Sequence, residues 1–280
     1  MRKRILSACL VALGALLLAG CFRNLPGAGT ATPPPPAATP TPAGDDRQAE
    51  DSGWQLVANG IAWRELSFYP NPETRRRTVV YAVRIDPAAV TFRVHYAPGE
   101  PRAINEWVRQ TDAHFLINGG FFTPEFAALG LLVSDGRAHG QSYEGYGGMF
   151  QVAGGRVRVR ALALEPYLPG EPLEQAVQAF PMLLNPGGAP AYPEDPKDVL
   201  SRRTIVGGGP GGAGRVPRRA GGGLTLHEAS QWLAAADFGL DAALNLDGGG
   251  STALHVQVGG FTKWVPSLDP LPVVIAAYLR

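Results

Sequence analysis

The sequence predicts an α+β fold, with mixed or antiparallel sheets and flanking helices in a single globular domain. Three observations favour this class. Most apolar segments alternate at the two-residue period of strands. Several of these segments are joined by Asp-Gly or Gly-Gly pairs, which are typical of hairpins and therefore of antiparallel pairing. Only two segments have helical spacing, and the chain shows no regular strand–helix–strand series.

Strands and hairpins follow one another along most of the predicted domain. An apolar strand ending at two glycines comes early, and two hairpins turn at Asp135-Gly136 and Gly154-Gly155. A further strand leads into Asp247. The other strands and hairpins are predicted at Thr78–Asp86, Val90–Ala97, Ala113–Phe122, Gly130–Ala138, Met149–Leu162, Ala179–Ala191, Arg203–Gly208 and Leu271–Leu279.

Two segments predict helices. Pro101–Gln110 opens with proline, which suits a first helical turn, and continues with helical spacing. Gly223–Leu240 carries stronger signals, because Thr225 and Glu228 form a capping-box pair and Gly239 can end the helix. The capping pair by itself explains Glu228, so a structural role stands beside any functional one.

The N-terminal residues 1–20 predict a signal peptide. Three basic residues precede the apolar run Ile5–Gly20, which is shorter than the roughly 20 apolar residues of a membrane span. The sequence Leu-Ala-Gly-Cys that ends at Cys21 resembles a bacterial lipobox. The resemblance implies cleavage before Cys21 and lipidation of its thiol. An ordinary secretory signal with a chance cysteine is the alternative.

Residues 21–52 predict a tether, and residues 53–280 predict the globular domain. The tether is rich in Pro, Ala and Thr and cannot bury a core. Phe22 stands where inner-membrane retention would favour an aspartate. We therefore expect an extracytoplasmic, membrane-anchored lipoprotein, in the outer membrane if the cell has one. Cys9 and Cys21 are the two cysteines, so the mature domain has no thiol for a disulfide.

Charge and motif content narrow the range of partners. The full chain has 25 basic and 24 acidic residues; without the three basic residues of the signal peptide, 22 basic residues remain against 24 acidic ones. Such a balance does not favour a nucleic-acid partner. The histidines show no metal-ligand spacing, and the glycine-rich segments lack the ending of a phosphate-binding P-loop. The sequence therefore predicts neither a metal site nor a cofactor.

Two strand ends carry the polar residues that indicate a site. The segment FLINGGFF places Asn118 before two glycines, and LNLDGGGST places Asn245 and Asp247 before three. Glycine amides near such side chains can donate to an anion or an oxyanion. Each segment alone also fits a tight turn, in which Asn or Asp caps the turn and glycine supplies a positive φ. The occurrence of two similar ends favours a site.

An arginine precedes a short apolar strand in the segment SRRTIVGG. Arg203 at this position suits a fixed guanidinium that pairs with phosphate or carboxylate. Arg202, beside it, is more readily explained as a solvated charge.

Taken in order, the segments INGGFF, RTIVG, GLTLHEAS and NLDGGGST resemble the phosphodiester glycosidase family over roughly Thr78 to Leu279. The resemblance implies a hydrolase that releases a sugar linked through C1 to a phosphodiester. It implies catalytic roles for Asp247, Glu228 and Asn118. It also implies substrate or phosphate binding by Arg203, Thr204, Gly119, Gly120, Asn245, Gly248, Gly249, Gly250 and Ser251. The segment between Gly207 and Gly223, and the segment LLNPGGAP, depart from the family pattern.

These residues fit the implied chemistry. Ordinary glycosidases use two carboxylates, one of which protonates a poor leaving oxygen. A phosphate monoester has a second pKa of about 6, against about 15.7 for water as a stand-in for an alcohol, so phosphate needs less acid catalysis. We expect Asp247 near the anomeric carbon, as nucleophile or as base toward water, and the substrate to be a phosphate-containing glycan. The alternative is a non-catalytic carbohydrate- or phosphate-binding lipoprotein of envelope or exopolysaccharide assembly.

Overall fold

The computed structural model describes residues 50–71, 73, 76–209 and 223–280 of the 280-residue chain. The predicted signal peptide, Cys21 and the tether up to residue 49 lie outside the described residues, as does the glycine-rich segment 210–222. Strands and bridges account for 43% of the described residues and helices for 10%. The prediction of an α+β fold with flanking helices is therefore wrong, and the protein is mainly β.

Four sheets in a four-bladed, propeller-like arrangement make up this β structure. Every strand pair within the described part of the chain is antiparallel. The strands are β1 (Glu50–Asp51), β2 (Gln55–Ala58), β3 (Ile61–Phe68), β4 (Thr78–Ile85), β5 (Val90–Tyr96), β6 (Phe115–Asn118), β7 (Leu132–Ser134), β8 (Arg137–His139), β9 (Gly148–Ala153), β10 (Arg156–Ala161), β11 (Gln175–Ala179), β12 (Met182–Asn185), β13 (Ala189–Pro190), β14 (Ile205–Gly208), β15 (Ala242–Asn245), β16 (Leu254–Val258), β17 (Phe261–Val265) and β18 (Val273–Leu279).

Each of the four sheets contains at least one hairpin of strands that are consecutive in the chain. In the first sheet β3 pairs with β1, β2 and β4. The second sheet has the order β10-β9-β11-β7-β8, and the third has the order β13-β12-β15-β14. The fourth sheet has the order β17-β16-β6-β18-β5. The strands β6 and β15, which end at the two glycine motifs, thus belong to different sheets.

Two short α-helices, α1 (Ile104–Thr111) and α2 (Leu226–Ala235), cover parts of the sheets. In α1, Trp107 is buried in a small apolar cluster and its ring nitrogen donates to Leu271 O at 2.9 Å. In α2, Leu233 is buried in a second cluster with residues of the third sheet. The helices are 8 and 10 residues long, too short to form a layer of their own. None of the described helices has the length and apolar character needed to cross a bilayer.

The fold class was predicted wrongly because several of the strands were not identified from the sequence. β1 to β3, β11, β16 and β17 lie where no strand was predicted. β11 is buried at all five positions and contains two glutamines, and β16 is buried at four of five. The residues of β11 do not alternate between apolar and polar, so its period-2 signal is absent, whereas the residues of β16 (LHVQV) do alternate although no strand was predicted there.

One central core is shared by all four sheets. It includes Ile61 of the first sheet, Phe150 of the second, Leu244 of the third and Phe115 of the fourth, each at most 2% exposed. Close packing of this kind fixes the positions of the strands relative to one another. The ends of β6, β14 and β15 are therefore held in a defined arrangement.

Candidate active site

The two glycine motifs predicted from the sequence lie side by side. Asp247 N, two residues beyond β15, donates to Gly119 O, one residue beyond β6, at 3.2 Å. Leu246 N donates to Thr204 O, just before β14, at 2.8 Å. Three strand ends from two sheets therefore meet at one point.

Asn118 connects these strand ends through its side-chain amide. The residue is 1% exposed. Its Oδ1 accepts hydrogen bonds from Thr204 Oγ1 at 2.6 Å and from Ala253 N at 3.1 Å. Its Nδ2 donates to Asp247 O at 2.7 Å. Both the oxygen and the nitrogen of the amide therefore form internal hydrogen bonds. Through these bonds Asn118 and Thr204 position Asp247.

The Asp247 carboxylate is partly buried at this junction. Burial raises its pKa above the usual value. Hydrogen bonds from the Ser251 side chain and from Gly248 N, which lies 2.8 Å from Asp247 Oδ1, act in the opposite direction, and the neighbouring charge of Asp269 raises the pKa further. A carboxylate with less water around it is a better base than one on the surface.

Close contacts with a backbone oxygen and a side-chain oxygen, and one positive φ, explain the three glycines after Asp247. A Cβ on Gly248 would lie 2.7 Å from Arg202 O, and a Cβ on Gly250 would lie 1.9 Å from Asp269 Oδ2. Gly249 has φ +58°, a conformation that favours glycine. The turn can therefore lie against the neighbouring chain only without side chains.

Two of the motif glycines already use their amides inside the protein. Gly249 N donates to Arg202 O at 2.9 Å, and Gly119 N donates to Val273 O at 3.0 Å. Gly120 packs on the second sheet, where a Cβ would lie 2.6 Å from Gln178 O. Together with the bond from Gly248 to Asp247, these contacts give the glycines a role in shaping the site.

The guanidinium of Arg203 is fixed by bonds to residues other than Asp247. Arg203 Nε donates to Leu224 O at 3.0 Å, and Nη2 donates to Val199 O at 2.8 Å. The same Nη2 lies 3.3 Å from the carboxylate of Asp198, whose side chain is 3% exposed. Arg203 thus ties the chain before β14 to the chain before α2.

Glu228 stabilises the start of α2. Its Oε2 accepts a bond from Thr225 N at 3.0 Å, and Thr225 Oγ1 accepts one from Glu228 N at 3.0 Å, which confirms the predicted capping box. Its Oε1 lies 2.5 Å from Arg76 Nη2. Within the described residues, the hydrogen bonds of Glu228 involve none of the partners of the Asp247 carboxylate.

The family model of phosphodiester glycosidases matches residues 111–277. The chain belongs to the phosphodiester glycosidase family. The matched span contains every residue that the sequence analysis placed in the site, from Asn118 to Ser251. Comparison with curated protein sequences gives no match.

Solved structures share the fold of this family member. The catalytic domain of zebrafish N-acetylglucosamine-1-phosphodiester alpha-N-acetylglucosaminidase, auto-inhibited by its pro-peptide, has a TM-score of 0.61 and 16% identity over 83% of this chain and 88% of that chain. A Synechocystis protein has a TM-score of 0.55 and 16% identity over 80% and 63% of the two chains. A Burkholderia pseudomallei protein has a TM-score of 0.54 and 14% identity over 73% and 74%.

Asp269 is a site residue that the sequence analysis missed. Its backbone N donates to Gly250 O at 3.2 Å, and its carboxylate lies against Gly250 and close enough to Asp247 to raise the pKa of that residue. The surrounding SLDP sequence has no motif that marks a site. Within the described ranges, no three His, Cys, Asp or Glu side chains are grouped closely enough to hold a metal ion.

Proposed function

We propose that this protein hydrolyses a sugar-1-phosphodiester of an envelope or extracellular glycan and releases the free sugar. The observation that carries the proposal is the Asp247 carboxylate, which is partly buried, has a raised pKa and lies where two glycine motifs meet in a phosphodiester glycosidase fold. The zebrafish relative is an enzyme that acts on N-acetylglucosamine-1-phosphodiester. Its name supports the same substrate class here.

In this reaction the bond between C1 and the phosphate oxygen breaks, and the bonding electrons leave with a phosphate monoester. Because the second pKa of that leaving group is about 6, it needs little help from a protein acid. Asp247 acts at C1, either by direct attack or by taking a proton from the attacking water. Burial of the carboxylate favours both roles, since it makes the group more basic.

The bonds around Asp247 support this role. Asn118 Nδ2 holds the Asp247 carbonyl, and Gly248 N and the Ser251 side chain hold its carboxylate. A reacting group that is fixed before the substrate binds loses little freedom in the transition state. Asn118 and Thr204 contribute by positioning, and Arg203 and Glu228 contribute by fixing the chain around the site.

The proposal includes attachment to a membrane. Cleavage before Cys21 and lipidation of its thiol would leave a tether of about 30 residues, by the predicted boundaries, between the bilayer and the domain. An anchored hydrolase of this kind would act on glycans within reach of the membrane surface.

The test is sugar release from a panel of sugar-1-phosphodiesters, with the free sugar and its anomer detected by NMR. We expect wild-type protein to release sugar from at least one member. Asp247→Asn should lower kcat by about 100-fold or more, in line with the contribution of a single acid–base group. Asp241→Asn is the matched control, because Asp241 is exposed and binds Gly187 N on the surface.

Thermal melting of all three proteins shows whether each is folded. Full activity in folded Asp247→Asn would remove Asp247 from catalysis. If wild-type protein binds members of the panel and releases no sugar, the protein is a carbohydrate- or phosphate-binding lipoprotein and the hydrolase proposal is wrong.

A further inference from the structure

Four aromatic rings form a cluster beside the candidate site, which we call the aromatic platform: Phe121, Tyr143, Tyr146 and Phe180. Phe121 stacks on Phe180 with centroids 4.5 Å apart, and Tyr143 stacks on Tyr146 at 5.0 Å. The two pairs meet edge to face, since Tyr143 and Tyr146 lie 5.6 and 6.0 Å from Phe180. The outer rings face solvent: Tyr146 is 52% exposed and Phe180 is 37% exposed.

The aromatic platform is attached to both glycine motifs. Phe180 O accepts a hydrogen bond from Asn245 Nδ2 at 3.0 Å, and Pro181 O accepts one from Asn245 N at 3.0 Å. Asn245 precedes Asp247 by two residues, and Phe121 directly follows Gly120. The rings therefore border the same strand ends that hold the Asp247 carboxylate.

The loop that carries the two tyrosines is held in place by a buried glutamine. Gln178 is 2% exposed, and its Oε1 accepts a bond from Tyr143 N at 2.9 Å. Its Nε2 donates to Ser142 Oγ at 2.8 Å. At the end of the loop, Gly147 packs so closely on Ala179 that a Cβ would lie 2.6 Å from Ala179 O. The loop therefore fixes the half-buried Tyr143 and the exposed ring of Tyr146 in place on the surface.

The chemistry of the aromatic platform favours a sugar ring as the ligand. An aromatic face carries partial negative charge, and the face of a pyranose that presents C–H groups is apolar and weakly positive. Exposed aromatic side chains next to a polar site are a feature of ligand surfaces. Phe121 and Phe180 have no ionisable group, and burial raises the pKa of Tyr143 to about 12. A neutral pyranose matches such a surface better than an acidic sugar.

We propose that the aromatic platform is the subsite that binds the pyranose ring of the substrate, with the sugar stacked on the exposed rings of Tyr146 and Phe180. This inference rests on the proposed function and names the group that recognises the sugar. Stacking there places the sugar next to the strand ends that present Asp247. It also commits the site to a neutral sugar.

Binding is tested with the methyl glycosides of glucose, galactose, mannose and N-acetylglucosamine. Methoxide is a poor leaving group, so these probes report binding without turnover. We expect at least one glycoside to bind wild-type protein, with saturation transfer in NMR strongest at its ring C–H protons. Tyr146→Ala and Phe180→Leu should each weaken binding by about 2- to 12-fold, the range of one aromatic contact.

Two further variants separate ring stacking from general effects. Tyr146→Phe keeps the ring and should bind like wild type. Leu56→Ala removes an apolar side chain that is 77% exposed on β2 of the first sheet, and should also bind like wild type. If the glycosides do not bind, or if Tyr146→Ala and Phe180→Leu leave their affinity unchanged, the proposal is wrong. Octyl phosphate that binds in place of the glycosides would identify a lipid chain as the occupant and would also overturn it.

The same variants show which proposal fails if one does. The KM for a cleaved sugar-1-phosphodiester should rise in Tyr146→Ala and Phe180→Leu while both variants remain folded at the assay temperature, as thermal melting shows. Sugar release with unchanged KM in both variants would refute the subsite and leave the hydrolase proposal standing. Glycoside binding that depends on both rings, without sugar release by wild type, would refute the hydrolase and retain the subsite.

Discussion

Removal of the Asn118 amide should lower stability and activity together. The Asn118 side chain makes three short internal hydrogen bonds, with Thr204 Oγ1, Ala253 N and Asp247 O, at 2.6, 3.1 and 2.7 Å, and a longer one to Gly119 O at 3.4 Å. At about 1 kcal/mol for each short bond, Asn118→Ala should lower the free energy of unfolding by about 3 kcal/mol. Thr204→Val keeps the shape of the side chain and removes one bond, so its cost should be about 1 kcal/mol.

Thermal melting followed by circular dichroism measures these differences. A domain of this size loses about 2–4 °C in Tm per kcal/mol, so we expect losses of about 6–12 °C for Asn118→Ala and about 2–4 °C for Thr204→Val. Activity should fall more in Asn118→Ala, which removes the donor to Asp247 O, than in Thr204→Val, which leaves that donor in place. Asn105→Ala, at an exposed position of α1, is the matched control and should change neither property.

Either of two results would refute this reasoning. If Asn118→Ala lost activity with an unchanged Tm, the amide would act on the substrate and would be a catalytic residue. If Thr204→Val cost as much as Asn118→Ala, the hydroxyl and not the amide would be the centre of the network.

The remaining predictions concern three other positions. Arg203→Lys should lower Tm, because a lysine cannot bond both Leu224 O and Val199 O as the guanidinium does. Equal values of Tm and KM in the variant and the wild type would contradict this prediction. Cys21→Ala should abolish incorporation of radiolabelled fatty acid, and a wild type that takes up no label would exclude the anchor. The raised pKa of Asp247 means that the folded state holds this proton more tightly, so wild-type stability falls as pH rises from the ordinary pKa of aspartate through the raised one. The Tm of Asp247→Asn relative to wild type should therefore be higher at neutral pH than in acid, and a pH-independent difference would contradict the assignment.

The strand ends could be predicted from sequence because their signals are local. Asn118 and Asp247 each follow a short apolar run and precede glycines, and both appear at the predicted points. The fold class could not be predicted in the same way. β11 could not be predicted as a strand because its apolar and polar residues do not alternate. Its two glutamines, Gln175 and Gln178, are buried and hydrogen-bonded.

Which residues form the site depends on contacts between segments that are far apart in the sequence. Nothing in the sequence near Arg203 shows that Asp198 and the carbonyl of Leu224 hold its guanidinium. Asp269 comes within reach of Asp247 only because the chain before β18 folds back onto Gly250. Motifs can identify which residues a family uses. Only the packing of the sheets shows which of these residues already form hydrogen bonds or ion pairs within the protein.

Under the proposed function, the electrostatics of Asp247 are unusual, because the site would receive an anionic substrate. Arg202 and Arg203 lie close in sequence to this turn, but Arg202 donates to Pro266 O at 2.8 Å and Arg203 bonds Leu224 O and Asp198. A guanidinium paired with Asp247 would lower the pKa of the carboxylate and weaken it as a base. In the proposed reaction, a bound phosphodiester instead repels the carboxylate in the ground state. As the bond to phosphate breaks, positive charge develops at C1, and the same carboxylate then stabilises it. The carboxylate charge is thus unfavourable beside the bound substrate and favourable beside the transition state. This difference in binding lowers the activation barrier.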